Sequence, residues 1–267
     1  MNDRVRVEIR DQIAYVTMAR AEKYNGLDFP MFTGLVEAAR RIRKDRSIRA
    51  VILSGEGKAF STGLDVASFF GKPMQSARIF LKYGIKRSNL AQEVGLCWRK
   101  LPVPVIAAVH GRCYGGGFQI ALGADFRFAT PDCEFSIMEV KWGLIPDMSG
   151  SITLRELLPI DVAKQLTMSG EIFDGRRAKA LNLVTELADD PLAAAEALAA
   201  QIKTRSPDAV AAAKSLFQKT WTASERRALA VETRLQWHMF LSPNQRIAVK
   251  ANLAREAPRF QPRRFNG

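Results

Sequence analysis

His110-Gly111-Arg112-Cys113-Tyr114-Gly115-Gly116-Gly117-Phe118-Gln119 follows directly on an apolar run at residues 103–109 and leads into a short helical pattern at residues 118–123. The run suits a buried strand, so the glycines stand where a strand hands over to a helix. Glycines at such a junction let the backbone approach a ligand and aim free N–H groups at it. A second junction resembles the first: Ala50-Val51-Ile52-Leu53-Ser54 reads as a buried strand, and Ala59-Phe60-Ser61-Thr62-Gly63-Leu64-Asp65 follows as an irregular loop. Neither junction contains GxGxxG or a Walker GxxxxGK[ST] pattern, so a dinucleotide or nucleotide phosphate cradle is not indicated.

Outward from these loops the chain organises itself. Val5, Val7 and Ile9 alternate before Asp11-Gln12, and Ile13, Tyr15 and Thr17 alternate after it, which predicts a hairpin. Residues 30–44 place Phe32, Leu35, Val36, Ala39 and Ile42 at helical spacing. Residues 76–100 read as one long helical stretch, and residues 125–129 and 135–138 as further strands. Beyond Asp161 almost everything is helical except residues 183–187. Helices are expected over residues 191–203, 207–220, 223–241 and 243–254. Pro191, Pro207 and Pro243 open three of them, where a missing N–H does no harm. The alanine-rich helices carry an apolar periodicity that points to packing, against this chain or another subunit.

Composition excludes several classes. Apolar residues make up 47% and charged residues 25%, as in an ordinary soluble domain with a sizeable core. The charged, alternating start reads as a strand, and no apolar run approaches the roughly 18 residues of a membrane span. A cytoplasmic location with no membrane partner is expected. Cys97, Cys113 and Cys133 form no CxxC pair and read as buried, reduced thiols. With two histidines, His110 and His238, and no HExxH, no metal site is expected. GxSxG is absent too, so a serine-hydrolase elbow is not indicated. The net charge of +13 is dispersed over Arg40-Arg41-Ile42-Arg43-Lys44, Arg226-Arg227 and residues 259–264. That dispersion reads as solvated helix faces and a cationic tail. A basic RNA-binding or assembly protein is the alternative outside enzymology, but no aromatic–basic platform supports it.

Taken together, the loops resemble those of the crotonase, or enoyl-CoA hydratase/isomerase, superfamily, and the resemblance covers nearly the whole chain. It rests on Arg20-Ala21-Glu22-Lys23-Tyr24-Asn25, Gly63-Leu64-Asp65, Gly115-Gly116-Gly117, Ala124-Asp125, residues 135–139 and Gly143-Leu144-Ile145-Pro146-Asp147. It implies an α/β fold, a spiral of repeated ββα units over residues 1–200 that binds acyl-CoA. Residues 201–267 would then form a helical region for trimerisation, with trimers pairing into hexamers. It further implies an oxyanion hole made by the backbone N–H groups of Leu64 and Gly116. Lys23, Tyr24, Thr62 and Asp65 would lie along the CoA, which belongs to the substrate; no separate cofactor is implied.

The same resemblance bears on the proton chemistry. The family's hydratases use two glutamates around one water, at the positions of Gln119 and Glu139. An amide can hold a water but cannot exchange a proton as a carboxylic acid does, so Gln119 counts against efficient hydration. Glu139 remains as general acid and base. Asp147 resembles the second proton carrier of dienoyl-CoA and ring-epoxide isomerases, although those dienoyl isomerases also carry a carboxylate at the Gln119 position. Gln119, Phe118 and Trp142 are expected to line the acyl pocket. His110 reads as a packing residue, and a cap on the following helix is the structural alternative for Asp147. Double-bond isomerisation is therefore favoured, with hydration using Glu139 and a water positioned by Gln119 as the rival.

Overall fold

The computed structural model describes residues 3–71, 73–82 and 88–267. Strands β1 (Val5–Arg10) and β2 (Ile13–Met18) pair antiparallel. Asp11 and Gln12 between them both have positive φ, 47° and 66°, the geometry of a two-residue turn whose twist matches a hairpin. Helix α1 (Phe29–Lys44) starts at Asp28, whose side chain accepts the Met31 N–H, and Pro30 sits in its first turn. Then come β3 (Ala50–Gly55), α2 (Val66–Gly71), α3 (Pro73–Phe80), α4 (Leu90–Arg99), β4 (Val105–Val109), β5 (Arg112–Tyr114), α5 (Gly116–Leu122), β6 (Phe126–Ala129) and β7 (Glu134–Ser136). Helices α6 (Gly150–Leu157), α7 (Ile160–Ser169) and α8 (Gly175–Ala180) lead to β8 (Glu186–Leu187). Helices α9 (Pro191–Lys203), α10 (Pro207–Thr220), α11 (Glu225–Phe240) and α12 (Pro243–Ala254) complete the chain.

Two sheets run side by side. The larger has the order β1-β2-β3-β4-β6-β8, parallel beyond the opening hairpin, and the smaller pairs β5 with β7. The pairs β4–β5 and β6–β7 each give their first strand to the large sheet and their second to the small one. An isolated parallel bridge joins Ser61 to Cys113, which is itself paired with Phe135. Three successive units therefore stand in register at Ser61, Cys113 and Phe135. The residues a few steps beyond them, Leu64, Gly116 and Glu139, are thereby brought to one level.

Both faces of the large sheet are covered, as parallel strands require. Along β3, Val51 and Leu53 belong to the main core, while Ala50 and Ile52 face Ala195 and Ala199 of α9. The alanines let α9 lie close on the sheet, so this face of the helix packs against its own chain. Residues 76–100 do not form one helix: α3 and α4 are separate, with residues 83–87 outside the described part. Asn89 starts α4 afresh through a reciprocal capping box with Gln92. The division expected at residue 200 falls inside α9. Helix α10 is tied to the body by Lys214, whose Nζ donates to the carbonyls of Trp98 (3.0 Å) and Val103 (2.9 Å) and pairs with Asp125 at 2.6 Å. All three cysteines are buried. Among the described residues no helix is long and apolar enough to cross a membrane.

Candidate active site

The two glycine loops are zipped together at the register point. Ser61 N–H donates to Arg112 O (3.1 Å), Tyr114 N–H to Ser61 O (2.9 Å), and Gly115 N–H to Ser136 O (2.9 Å). Glycine is required here for two reasons. Gly115 has φ 49° and ψ −122°, a conformation that side chains exclude. A Cβ on Gly117 would stand 2.6 Å from that of Ser61. Ser61 Oγ also donates to Asn25 O (2.9 Å) and accepts from Gly63 N–H (3.2 Å).

Two amides are left over by this weave. Leu27 bridges Leu64 by donating to Gly63 O (2.8 Å) and accepting from Asp65 N–H (3.1 Å). In a parallel bridge the flanking residues make the bonds, so the N–H of Leu64 itself points the other way. Gly116 N–H opens α5, where the first amides have no intrahelical acceptor. Among the described residues neither N–H has a protein partner. Both residues line one cavity of about 350 Å³, walled by apolar side chains including Phe32, Phe69, Ile79 and Met148.

Glu139 and Asp147 line the same cavity. Glu139 begins a 3-10 turn, Glu139–Trp142, and does not lie on the end of a strand. Its carboxylate lies over Gly115, where an added Cβ would be 3.4 Å from Oε1. Burial pushes its pKa above the usual carboxylate range; the Gln119 amide opposes this and the Asp147 charge adds to it. Burial likewise raises Asp147. Glu139 Oε2 is buried and has no hydrogen-bond partner among the described residues. Two carboxyls held in an apolar cavity with raised pKa values are suited to picking up and returning protons.

The other expected site residues divide. Thr62 and Trp142 line the cavity, Trp142 being 57% exposed at its mouth. Lys23 and Tyr24 stand on an exposed turn beside it, and Tyr24 O accepts the Thr62 N–H at 3.1 Å. Phe118 does not reach the cavity. It is 0% exposed, with its ring centroid 5.1 Å from that of Phe135 and 6.3 Å from that of Phe173. Helix α5 begins at Gly116, two residues before the expected start, and the helical rotation turns Phe118 into the core. Gln119 is one layer behind the cavity wall, not on it. Asp65 is a cap and ion-pair partner: it accepts from Ser68 N–H (3.0 Å) and binds Arg20 at 2.8 Å. Burial alone would raise its pKa, but the Ser68 and Arg20 contacts prevail and hold it below the usual range. His110 Nε2 meets Gly57 O at 2.8 Å, a structural contact.

Residues that sequence reasoning did not assign hold the loops in place. Asn25 is buried; its Nδ2 donates to Glu56 O (2.9 Å) and Ala59 O (2.8 Å), and its Oδ1 accepts from Arg20 N–H (2.9 Å). The available signal was an amide and an arginine inside the segment from Arg20 to Asn25, immediately before a helix.

A mixed α/β spiral that sets the Leu64 and Gly116 amides and two carboxyls around one apolar cavity defines a site fit to hold an oxyanion and exchange protons. The profile of the Enoyl-CoA hydratase/isomerase family matches residues 8–263, and the chain belongs to that family. It is 32% identical over 259 residues to "Enoyl-CoA hydratase EchA19" of Mycobacterium tuberculosis, covering 96% of each. It is also 32% identical over 260 residues to the mitochondrial "Delta(3,5)-Delta(2,4)-dienoyl-CoA isomerase" of Mus musculus, covering 91% of this chain and 76% of that one. The crystal structure of an enoyl-CoA hydratase from Mycobacterium tuberculosis superimposes with a TM-score of 0.86 at 30% identity, over 97% of this chain and 99% of that one.

Proposed function

We propose that this protein isomerises a carbon–carbon double bond in an enoyl-CoA. The thioester oxygen would receive the N–H groups of Leu64 and Gly116. Removing a proton next to the thioester then gives an enolate, whose oxygen bears the developing charge and is stabilised selectively by those two fixed dipoles. Glu139 would take the proton from the carbon next to the thioester, and Asp147, protonated beforehand, would deliver one further along the chain; exchange with solvent then restores both groups. The observation that carries this reading is that Glu139 and Asp147 line one cavity beside both free amides. CoA is part of the substrate, no metal or redox group is needed, and Lys23, Tyr24 and Thr62 stand where the CoA would enter.

Hydration is the second reading, favoured by the likeness to enoyl-CoA hydratases. It is weakened by Gln119, whose carbonyl oxygen already accepts two backbone N–H groups and whose amide already donates to Glu139. Incubation with 3-enoyl-CoA and 2-enoyl-CoA in deuterated water separates the readings. Double-bond migration with deuterium incorporation is expected. Rapid water addition, undiminished in Asp147→Asn, would overturn isomerisation. As oligomeric state and location, a homotrimer or hexamer built through residues 201–267 in the cytoplasm fits this reading.

A further inference from the structure

We infer that Gln119 is a positioning residue: it grips Glu139 by one carboxylate oxygen, leaves the other as the proton carrier, and holds the Asp147 loop in register with it. This deepens the enolate reading above and rests on it for its catalytic consequence, but the geometry stands alone. Gln119 is 2% exposed on α5. One atom of its amide receives Met148 N–H at 2.9 Å and Gly150 N–H at 3.0 Å. Two N–H donors can converge only on an acceptor, so that atom is the oxygen. The NH2 end is thereby forced toward Glu139, and Nε2 donates to Oε1 at 2.6 Å. Gly150 is needed for the approach, because a Cβ there would stand 2.8 Å from Gln119 Oε1.

Two consequences follow from hydrogen-bond direction. A donor on Oε1 favours the ionised carboxylate, which is the form that accepts a proton. With Oε1 occupied, Oε2 is the oxygen available to a substrate proton, and it is the one that is buried without a partner among the described residues. The groups facing Glu139 are few. Among the described residues, Asp147 is the only other charged one lining the cavity. Lys141, on the same turn, lies toward Gly170, and α7, packed on that turn, carries Asp161 and Lys164, both exposed. Because Met148 directly follows Asp147, one amide fixes the spacing of both carboxyls.

The test combines a titration with turnover in the full-length protein. Glutamate labelled with 13C at the carboxyl carbon reports Glu139 by NMR, assigned by difference against Glu139→Gln. Gln119→Met removes the donor and should move the Glu139 midpoint upward. Gln119→Glu keeps an acceptor for Met148 and Gly150 but sets two carboxyls against each other, so titration should split into two coupled steps. If Gln119→Met does not fold, Gln119→Glu carries the test. Deuterium exchange into an acyl-CoA should fall at least about tenfold in kcat, with KM little changed and the acid limb of the pH profile displaced upward. A Glu139 titration unchanged in both variants overturns the inference. A displaced titration together with full exchange activity in Glu139→Gln would leave the positioning role standing and remove the proposed function instead.

Discussion

Gly63 lies so close to Tyr114 that a Cβ at position 63 would stand 2.8 Å from the Tyr114 carbonyl oxygen and 3.1 Å from Gly116 N. That approach brings the Leu64 and Gly116 amides to the same cavity. The φ of Gly63, 82°, is in addition one that L side chains rarely adopt. Gly63→Ala should therefore spread the two loops and misdirect at least one amide. Losing one such donor typically costs about a hundred- to a thousand-fold in rate. The expected outcome is a loss of that size in acyl-CoA deuterium exchange, with cooperative unfolding retained. Wild-type exchange in Gly63→Ala would separate the amides from the chemistry.

Glu139 gives a prediction whose sign differs for activity and stability. Its folded pKa lies above the ordinary value because burial disfavours the ionised form. Below the ordinary carboxylate pKa both folded and unfolded chains are protonated there, and the site costs nothing electrostatically. As pH rises through the raised folded pKa, the folded chain must bury a charge and loses stability relative to the unfolded one. Glu139→Gln should thus lose about a hundred- to ten-thousand-fold in exchange rate while gaining stability. Urea unfolding at pH 4 and pH 8 checks this: the gain should be larger at pH 8. A variant less stable than wild type at pH 8 would contradict a purely desolvated carboxylate.

Much of this arrangement was legible in the sequence, and the gaps have physical causes. The hairpin at Asp11-Gln12 and the helices opened by Pro191, Pro207 and Pro243 announce themselves through alternation and capping. Of the small sheet only β7 did, as residues 135–138; β5, with three residues, is too short to show a period. Glycine loops identified the site, but glycines carry no side-chain pattern to fix where α5 begins. Each residue of a helix turns about 100°, so the two-residue difference decided that Phe118 faces the core. The role of Gln119, and the grip of the Asn25 amide on Glu56 and Ala59, depend on hydrogen bonds to residues 20 or more positions away, which no local pattern encodes.

The C-terminal helices expose an apolar face. Trp221, Trp237, Phe240 and Leu241 are 64%, 63%, 53% and 73% exposed. Single exposed apolar side chains are ordinary, but Trp237 and Phe240 stand together on α11 with ring centroids 5.8 Å apart, and grouped exposed aromatic side chains mark an interface. The proposed homo-oligomer would cover them. Sedimentation should give a species of three or six chains, and Trp237→Glu should shift it toward the monomer. A monomeric wild-type protein at micromolar concentration would exclude that assembly.

Asp208 anchors the end of the chain. Its Oδ2 accepts from Ser242 Oγ (2.7 Å) and Asn244 Nδ2 (2.8 Å), and its Oδ1 from the N–H groups of Arg264 (2.7 Å) and Phe265 (2.8 Å). Burial would raise this carboxyl, but four donors outweigh it and hold the pKa below the ordinary range. Its contribution is therefore present above the ordinary carboxylate pKa and is lost as pH falls through the depressed folded value. Asp208→Ala leaves buried donors without an acceptor, at a cost of about 1–3 kcal/mol per group at most and less where the tail can move to water. The expected result is destabilisation of about 2 kcal/mol or more at pH 7, with faster proteolysis within residues 255–267. The difference from wild type should shrink in acid, where the wild-type carboxylate is itself protonated. A tail as resistant to protease in Asp208→Ala as in wild type would mean that Asn244, which holds Gln261 through its own amide (3.2 Å and 2.9 Å), is the principal anchor instead.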